Sequence, residues 1–271
     1  MNYISIAKET KRITKEGRYE INGITIYLPK LDYTDVKVYS PEMGEHLLSG
    51  HVPSVVDATN AANYIKIAAE DSFQAAGNLD NPLVMNFANA HKPGGGFELG
   101  ATAQEEALCR CSTLFASISS KKAQEMYRYN NSHISGIESD YMLLSEVSVF
   151  RNEKCELLKN PFIAGVITVP APNRIGLAVL TSEKKIEQAM LRRIRIMLLI
   201  AKEQGYKSIV LGAWGCGAFH NKPEKVAGYF KKVLIDEGYA NYFEQVCFAI
   251  YGSEDGKNIM AFKKCFAYAG A

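Results

Sequence analysis

The sequence predicts a layered α/β domain built on a largely parallel or mixed sheet. Three observations lead there: short runs of consecutive apolar residues recur along the chain, amphipathic stretches with helix punctuation separate them, and two glycine-bearing loops follow two of the runs. Consecutive apolar residues mark strands buried on both faces, and strands of that kind alternating with helices form a sheet covered on each side.

In chain order, a polar N-terminal stretch precedes the run "NPLVMNFANA" at 81–90, which reads as a buried strand. A helix is expected from about residue 103. The section from about 117 to 160 is more polar, with "NNSHISGIESD" as an irregular excursion before a strand at "YMLLSEVSVF". Further strands are expected in "FIAGVITVPAP", "YKSIVLGAWG" and "EQVCFAIYG". Residues 183 to 204 place Ile186, Met190, Ile194, Met197, Leu198 and Ala201 on one helical face, with Ser182 as N-cap and Gly205 just past the end. Asn221 and Pro223 are expected to open the next helix, striped by Val226, Phe230, Val233 and Leu234 and closed by Gly238.

Composition narrows the function. The chain has 271 residues, 47% of them hydrophobic and 22% charged, an ordinary globular balance with enough apolar material for a real core. A formal charge of only +2 gives no general electrostatic reason to bind nucleic acid or an acidic membrane, so a polyanionic partner must be held locally. The N-terminus lacks a signal-peptide core, and no stretch approaches the roughly 18 apolar residues of a membrane span. The 6 cysteines include no CxxC frame, which suits a reducing compartment, and a cytoplasmic protein is expected.

Ligands of open α/β sheets bind beyond the carboxyl ends of the strands. Both glycine loops, "ANAHKPGGG" and "GAWGCGAFHN", sit at such ends. Neither is a Walker A motif or a GxGxxG fingerprint. A single such loop is as readily a tight turn as a phosphate cradle. Two of them at strand ends point to an anionic ligand, a diphosphate above all, approached by bare backbone N–H groups.

Glu105 and Glu106 follow the first loop. Thr102 and Glu105 fit an S/T-x-x-E capping box, and acids in a first turn suit the helix dipole, so the pair also has a purely structural reading. Neighbouring helical side chains diverge by roughly 100° and should not duplicate one role. Cys109 and Cys111, at i and i+2, point to different sides and are not expected to share a metal. Cys216 reads as a small packing residue, His91 and His220 as groups outside the chemistry, and Trp214 as a buried loop anchor.

Gly94, Gly95 and Gly96 followed, after seven residues, by Gln104, Glu105 and Glu106 resemble the signature of the poly(ADP-ribose) glycohydrolases. "NFANAHKPGGGFELGATAQEE", "VPAPN" at 169–173 and "LGAWGCGAFHNKP" together resemble the family's short microbial branch, from about residue 55 to the C-terminus. The resemblance implies a macrodomain, a three-layer α/β/α arrangement on a mixed, mostly parallel sheet, over 55–271. Residues 1–54 would be an N-terminal extension packed on it, as a helical cover or against the sheet. It implies hydrolysis of the ribose–ribose bonds of poly(ADP-ribose), with poly(ADP-ribose) or ADP-ribosylated proteins as partners, ADP-ribose as product and neither metal nor redox cofactor.

By position, Glu106 would be the acid/base, Glu105 the residue holding ribose hydroxyls, and Gln104 a brace for the catalytic loop. Asn89 would contact ribose, and Gly94 to Gly96 would line ribose and diphosphate. Gly215, Cys216, Gly217, Ala218 and Phe219 would form the second diphosphate loop, with Phe219 against the terminal ribose. Adjacent acids do not flank a sugar as the usual glycosidase pair does, so one acid would make both proton transfers while the substrate's diphosphate shields the developing cation. A monomer is expected. A reader that binds ADP-ribose without cleaving it, or a hydrolase of mono-ADP-ribosyl adducts, would use similar loops.

Overall fold

The computed structural model of the chain describes residues 1–51, 65–133, 135 and 137–267. Helix α1 (Tyr3–Glu16) begins where the Asn2 side chain accepts from Ser5 N–H and ends at Gly17, whose φ of +66° is left-handed. A hairpin follows, β1 (Arg18–Ile21) against β2 (Ile24–Tyr27), and then β3 (Lys37–Tyr39) and α2 (Pro41–Ser49). The boundary expected between residues 54 and 55 lies outside the described residues.

Next come β4 (Ile65–Ala68), α3 (Ser72–Ala76), β5 (Pro82–Asn86), α4 (Gln104–Cys111), α5 (Leu114–Ile118) and α6 (Gln124–Ser132). The second half holds β6 (Met142–Arg151), β7 (Leu157–Thr168), α7 (Glu183–Glu203), β8 (Ser208–Leu211), α8 (Pro223–Lys231), β9 (Gln245–Ala249) and α9 (Lys257–Ala267). The irregular excursion starts later than the sequence suggests, because "NNS" continues α6 through Ser132.

Strands β3 to β9 form one seven-stranded sheet in the order β3-β6-β7-β5-β8-β9-β4. The β3–β6 and β6–β7 pairs are antiparallel; β7–β5, β5–β8, β8–β9 and β9–β4 are parallel. The sheet is therefore mixed and mostly parallel, as expected. Its edge strand β3 comes from the stretch read as an N-terminal extension.

Alternation along the strands divides the interior in two. Leu83 and Met85 of β5 face a core shared with Ile186, Met190, Ile194 and Met197 of α7 and with Val226 and Phe230 of α8. Val84 faces the opposite core, with Leu108 of α4, Leu114 of α5 and Met126 of α6. Helices thus cover both faces, a three-layer arrangement in which every β5 residue is buried. Ser182 caps α7 as predicted, accepting from Lys185 N–H, and Gly205 follows its end at φ +74°.

Candidate active site

The carboxyl ends of β4, β5, β8 and β9 open into one cavity of about 690 Å³. The loop after β5 contributes Phe87, Asn89, Gly95 and Gly96, the start of α4 contributes Gln104 to Ala107, and the loop after β8 contributes Gly215 and Gly217 to Phe219. Residues 70–72 and 249–251 close the β4 and β9 side. Of the residues expected at the site, only Gly94 and Cys216 are not part of the lining. Gly94 lies beneath it, where a Cβ would meet the Phe115 ring at 2.8 Å. Cys216 packs on the core beside α8 with its thiol pushed up to about 12 by burial.

Gln104 joins the first loop to the sheet. β5 pairs with β8 only as far as Val84, and past that point the Gln104 amide acts as a strand partner: its Oε1 accepts from Phe87 N–H at 2.9 Å and its Nε2 donates to Met85 O at 2.8 Å. A strand end that would otherwise leave buried backbone groups unpaired is thereby satisfied by one side chain. The helix carrying both glutamates is fixed to the sheet by the same two bonds.

The two carboxylates take different partners. Glu105, 3% exposed, accepts from Asn89 N–H at 2.8 Å through Oε2 and from Asn86 Nδ2 at 3.3 Å through Oε1. Burial pushes its pKa up to about 8, against the lowering effect of these hydrogen bonds, and the neighbouring Glu106 adds to the rise. Glu106 accepts from Gly96 N–H at 2.9 Å through Oε1, and its Oε2 has no partner among the described residues. Gly95 is left-handed at φ +52°, and a Cβ there would collide with Glu106 Oε1.

Two sequence expectations change at this point. The capping box does not form: the residue before α4 is Ala103 with no side-chain cap, and Glu105 turns inward to Asn86 and Asn89 instead of back to residue 102. The first glycine loop is not a free phosphate cradle either, because Gly95 N–H donates to Lys92 O and Gly96 N–H to Glu106. One of its amides, that of Gly96, places a carboxylate.

The second loop has amides to spare. Gly215, at φ +70°, Gly217, Ala218 and Phe219 all line the cavity, and their four N–H groups have no hydrogen-bond partner among the described residues. Among the described residues Arg110 is the only cationic side chain in the lining, which also includes Glu70, Asp71, Glu105, Glu106 and Glu153. An anion entering this cleft meets backbone dipoles more than charged side chains.

Asn221 holds that loop in shape. It does not cap α8, whose preceding residue is Lys222. Buried at 4% exposure, its Nδ2 donates to Pro172 O at 2.9 Å and Gly215 O at 3.2 Å, and its Oδ1 accepts from Arg174 Nε at 3.0 Å. Trp214, fully buried, donates from Nε1 to Val169 O at 3.0 Å, and Arg193 donates to Pro170 O at 2.9 Å. The carbonyls of "VPAPN" thus act as anchors for the second loop. Asn89 has a comparable local role, its Oδ1 accepting from His91 N–H and Lys92 N–H.

A family model described as the catalytic domain of microbial-type PARG, poly(ADP-ribose) glycohydrolase, matches residues 7–152. The chain belongs to that glycohydrolase family. The crystal structure of the glycohydrolase from Thermomonospora curvata is 33% identical over 97% of this chain and 98% of its own, with a TM-score of 0.87. The same protein bound to the inhibitor ADP-HPD gives 33% identity, the same coverage and a TM-score of 0.85. The Deinococcus radiodurans glycohydrolase in complex with ADP-ribose is 31% identical over 91% of this chain and 100% of its own, with a TM-score of 0.78. No curated protein matches the chain.

The glycohydrolase match begins at residue 7, inside α1, and that helix is in contact with the site's scaffold. Thr10 Oγ1 donates to Arg110 O at 2.8 Å, and the Tyr3 ring lies 4.4 Å from the Arg110 guanidinium. Both Tyr3 and Arg110 line the cavity. Sequence reasoning missed this wall because polar α1 shows no long apolar run, its buried residues being Ala7, Thr10 and Ile13. Among the described residues no helix is long and apolar enough to cross a membrane.

Proposed function

We propose that this chain hydrolyses the ribose–ribose O-glycosidic bonds of poly(ADP-ribose), with Glu106 as the single acid/base. The observation that carries this reading is the pairing, in one cleft, of two differently held carboxylates with a loop of unused backbone amides. The amides of Gly215, Gly217, Ala218 and Phe219 would bind the diphosphate, and the acids would lie at the ribose end.

Glu106 suits the proton transfers because one oxygen is fixed by Gly96 while the other is unengaged. It gives a proton to the leaving ribose oxygen and then takes one from the attacking water. Glu105 suits the ribose hydroxyls. With its pKa at about 8 it is neutral at pH 7 and can donate as well as accept. Gln104 keeps both in place through the sheet end, and Asn89 N–H and Gly96 N–H orient one each. The developing cation on ribose would be balanced by the substrate's own diphosphate.

The proposal includes a cytoplasmic monomer on a macrodomain scaffold, without direct nucleic-acid contacts, which the near-neutral charge of +2 supports. Release of free ADP-ribose from purified poly(ADP-ribose) and from a mono-ADP-ribosylated protein, compared between wild type and Glu106→Gln, tests it. Release from the polymer, lost in the variant with ADP-ribose binding retained, is the expected result. Tight binding with no release from either substrate would make the chain a reader, and release from the mono-ADP-ribosylated protein alone would move the activity to that adduct.

A further inference from the structure

The cavity lining also includes Arg110, Cys111, Glu153, Cys155 and Tyr3, none of which belongs to the amide loop. Cys111 is the last residue of α4 and Cys155 lies in the turn between β6 and β7. They are 44 positions apart in the chain, yet both bond to one carbonyl: Asn152 O accepts from Cys155 N–H at 2.9 Å and from the Cys111 thiol at 3.3 Å. Both cysteines are free, with Cys111 buried and Cys155 partly open.

Two buried guanidiniums flank the pair. Arg151 donates from Nη1 to Cys155 O at 3.1 Å and from Nη2 to Glu9 at 2.6 Å. Arg110 donates from Nη1 to Ala101 O at 2.5 Å while its plane covers Tyr3. Each is 3% exposed, and the Nε of each is buried without a hydrogen-bond partner among the described residues. Buried charged donors are ordinarily satisfied, so two unsatisfied ones near a pair of thiols favour negative charge on sulfur there.

We propose that Cys155 and Cys111 form a dithiol site, open to the catalytic cleft, that hydroperoxides oxidise to a disulfide. In the first step the Cys155 thiolate attacks one peroxide oxygen, the O–O bond breaks, and the other oxygen leaves with a proton as alcohol or water, giving a sulfenic acid. In the second, Cys111 sulfur attacks the Cys155 sulfur and the S–O bond breaks; the thiol proton leaves with the hydroxide as water. Two thiols lose two electrons in all, and the peroxide gains them.

The surroundings of Cys155 favour the thiolate that this chemistry needs. The neighbouring Cys111 thiol is the largest influence and, with the positive charges of Arg110 and Arg151, brings the Cys155 thiol down to about 6 despite partial burial. The other cysteines move the opposite way: burial raises Cys109, Cys216, Cys247 and Cys265. A low, accessible thiol beside a buried second one is the arrangement in which a sulfenic acid is resolved internally.

Intact mass and peptide mapping of the full-length protein after brief treatment with hydrogen peroxide test the site. The expected product is about 2 Da lighter, maps to a Cys111–Cys155 cross-link and reverts with dithiothreitol. Cys155→Ser should lose it. Cys111→Ser should instead accumulate a sulfenic acid on Cys155 that dimedone traps, so a folding defect in one variant does not decide the matter. Oxidation of other cysteines at equal or greater rates, or a Cys111→Ser protein with no dimedone adduct, would overturn the proposal. The readout is chemical and does not depend on glycohydrolase activity.

Discussion

Gly96 N–H and Glu106 Oε1 are hydrogen-bonded at 2.9 Å, so the glycine loop and the proposed acid/base move as one unit. Gly95 stands directly against that same oxygen. Gly95→Ala would add a Cβ in a left-handed conformation, costing about 1–2 kcal/mol, and displace the carboxylate. Activity should fall by about 100-fold or more for a shift on the order of 1 Å. ADP-ribose affinity, measured by calorimetry, should change far less, because the free amides belong to the other loop. A variant with wild-type turnover would show that Glu106 need not be held where it is.

Glu105 makes stability depend on pH. Its folded pKa of about 8 lies above its unfolded value near 4.5, so between these values the folded state holds a proton that the unfolded state has lost. Stability therefore falls as pH rises through that window, by at most about 1.4 kcal/mol per pH unit for this one group. Denaturant midpoints taken from pH 5 to 8.5 should decline more steeply for wild type than for Glu105→Gln, whose amide does not titrate. Parallel curves would mean that Glu105 is ionised in the folded protein at neutral pH.

Asn221 supports the second loop from behind. Asn221→Ala should strand the Pro172 and Gly215 carbonyls and the Arg174 Nε, at about 1–3 kcal/mol for each group left buried and unpaired. The melting temperature should drop and ADP-ribose should bind at least tenfold more weakly, although this side chain is not part of the cavity lining. Unchanged affinity in a destabilised protein would separate the loop's conformation from ligand binding.

Much of the sheet was legible because β5, β7, β8 and β9 carry near-continuous apolar runs, and α7 has both a stripe and clear ends. The site was legible where spacing was the signal, in the glycines and the two acids. Misreadings occurred where a local pattern had a distant partner. Thr102 and Glu105 have capping-box spacing, but Asn86 and Asn89 claim Glu105. Asn221 has helix-start spacing, but Pro172 and Arg174 claim it. Arg193, on an otherwise apolar face, is 1% exposed because Asp140 at 2.9 Å and the Pro170 and Glu138 carbonyls surround it. None of these partners lies close enough in sequence to leave a periodic trace.

The unengaged amides of Gly215, Gly217, Ala218 and Phe219 also determine what mutagenesis can detect. Truncating Cys216 or Phe219 leaves every N–H in place, so side-chain removal would pass over those amides, whereas a Cβ at left-handed Gly215 would collide with Asn221 and Ala171 and disturb the loop itself. Sensitivity should appear instead at Asn221, Arg174 and Trp214, positions whose side chains hold the loop from outside the cavity lining. The proposed recognition surface is thus encoded at a distance, in residues that set a backbone path.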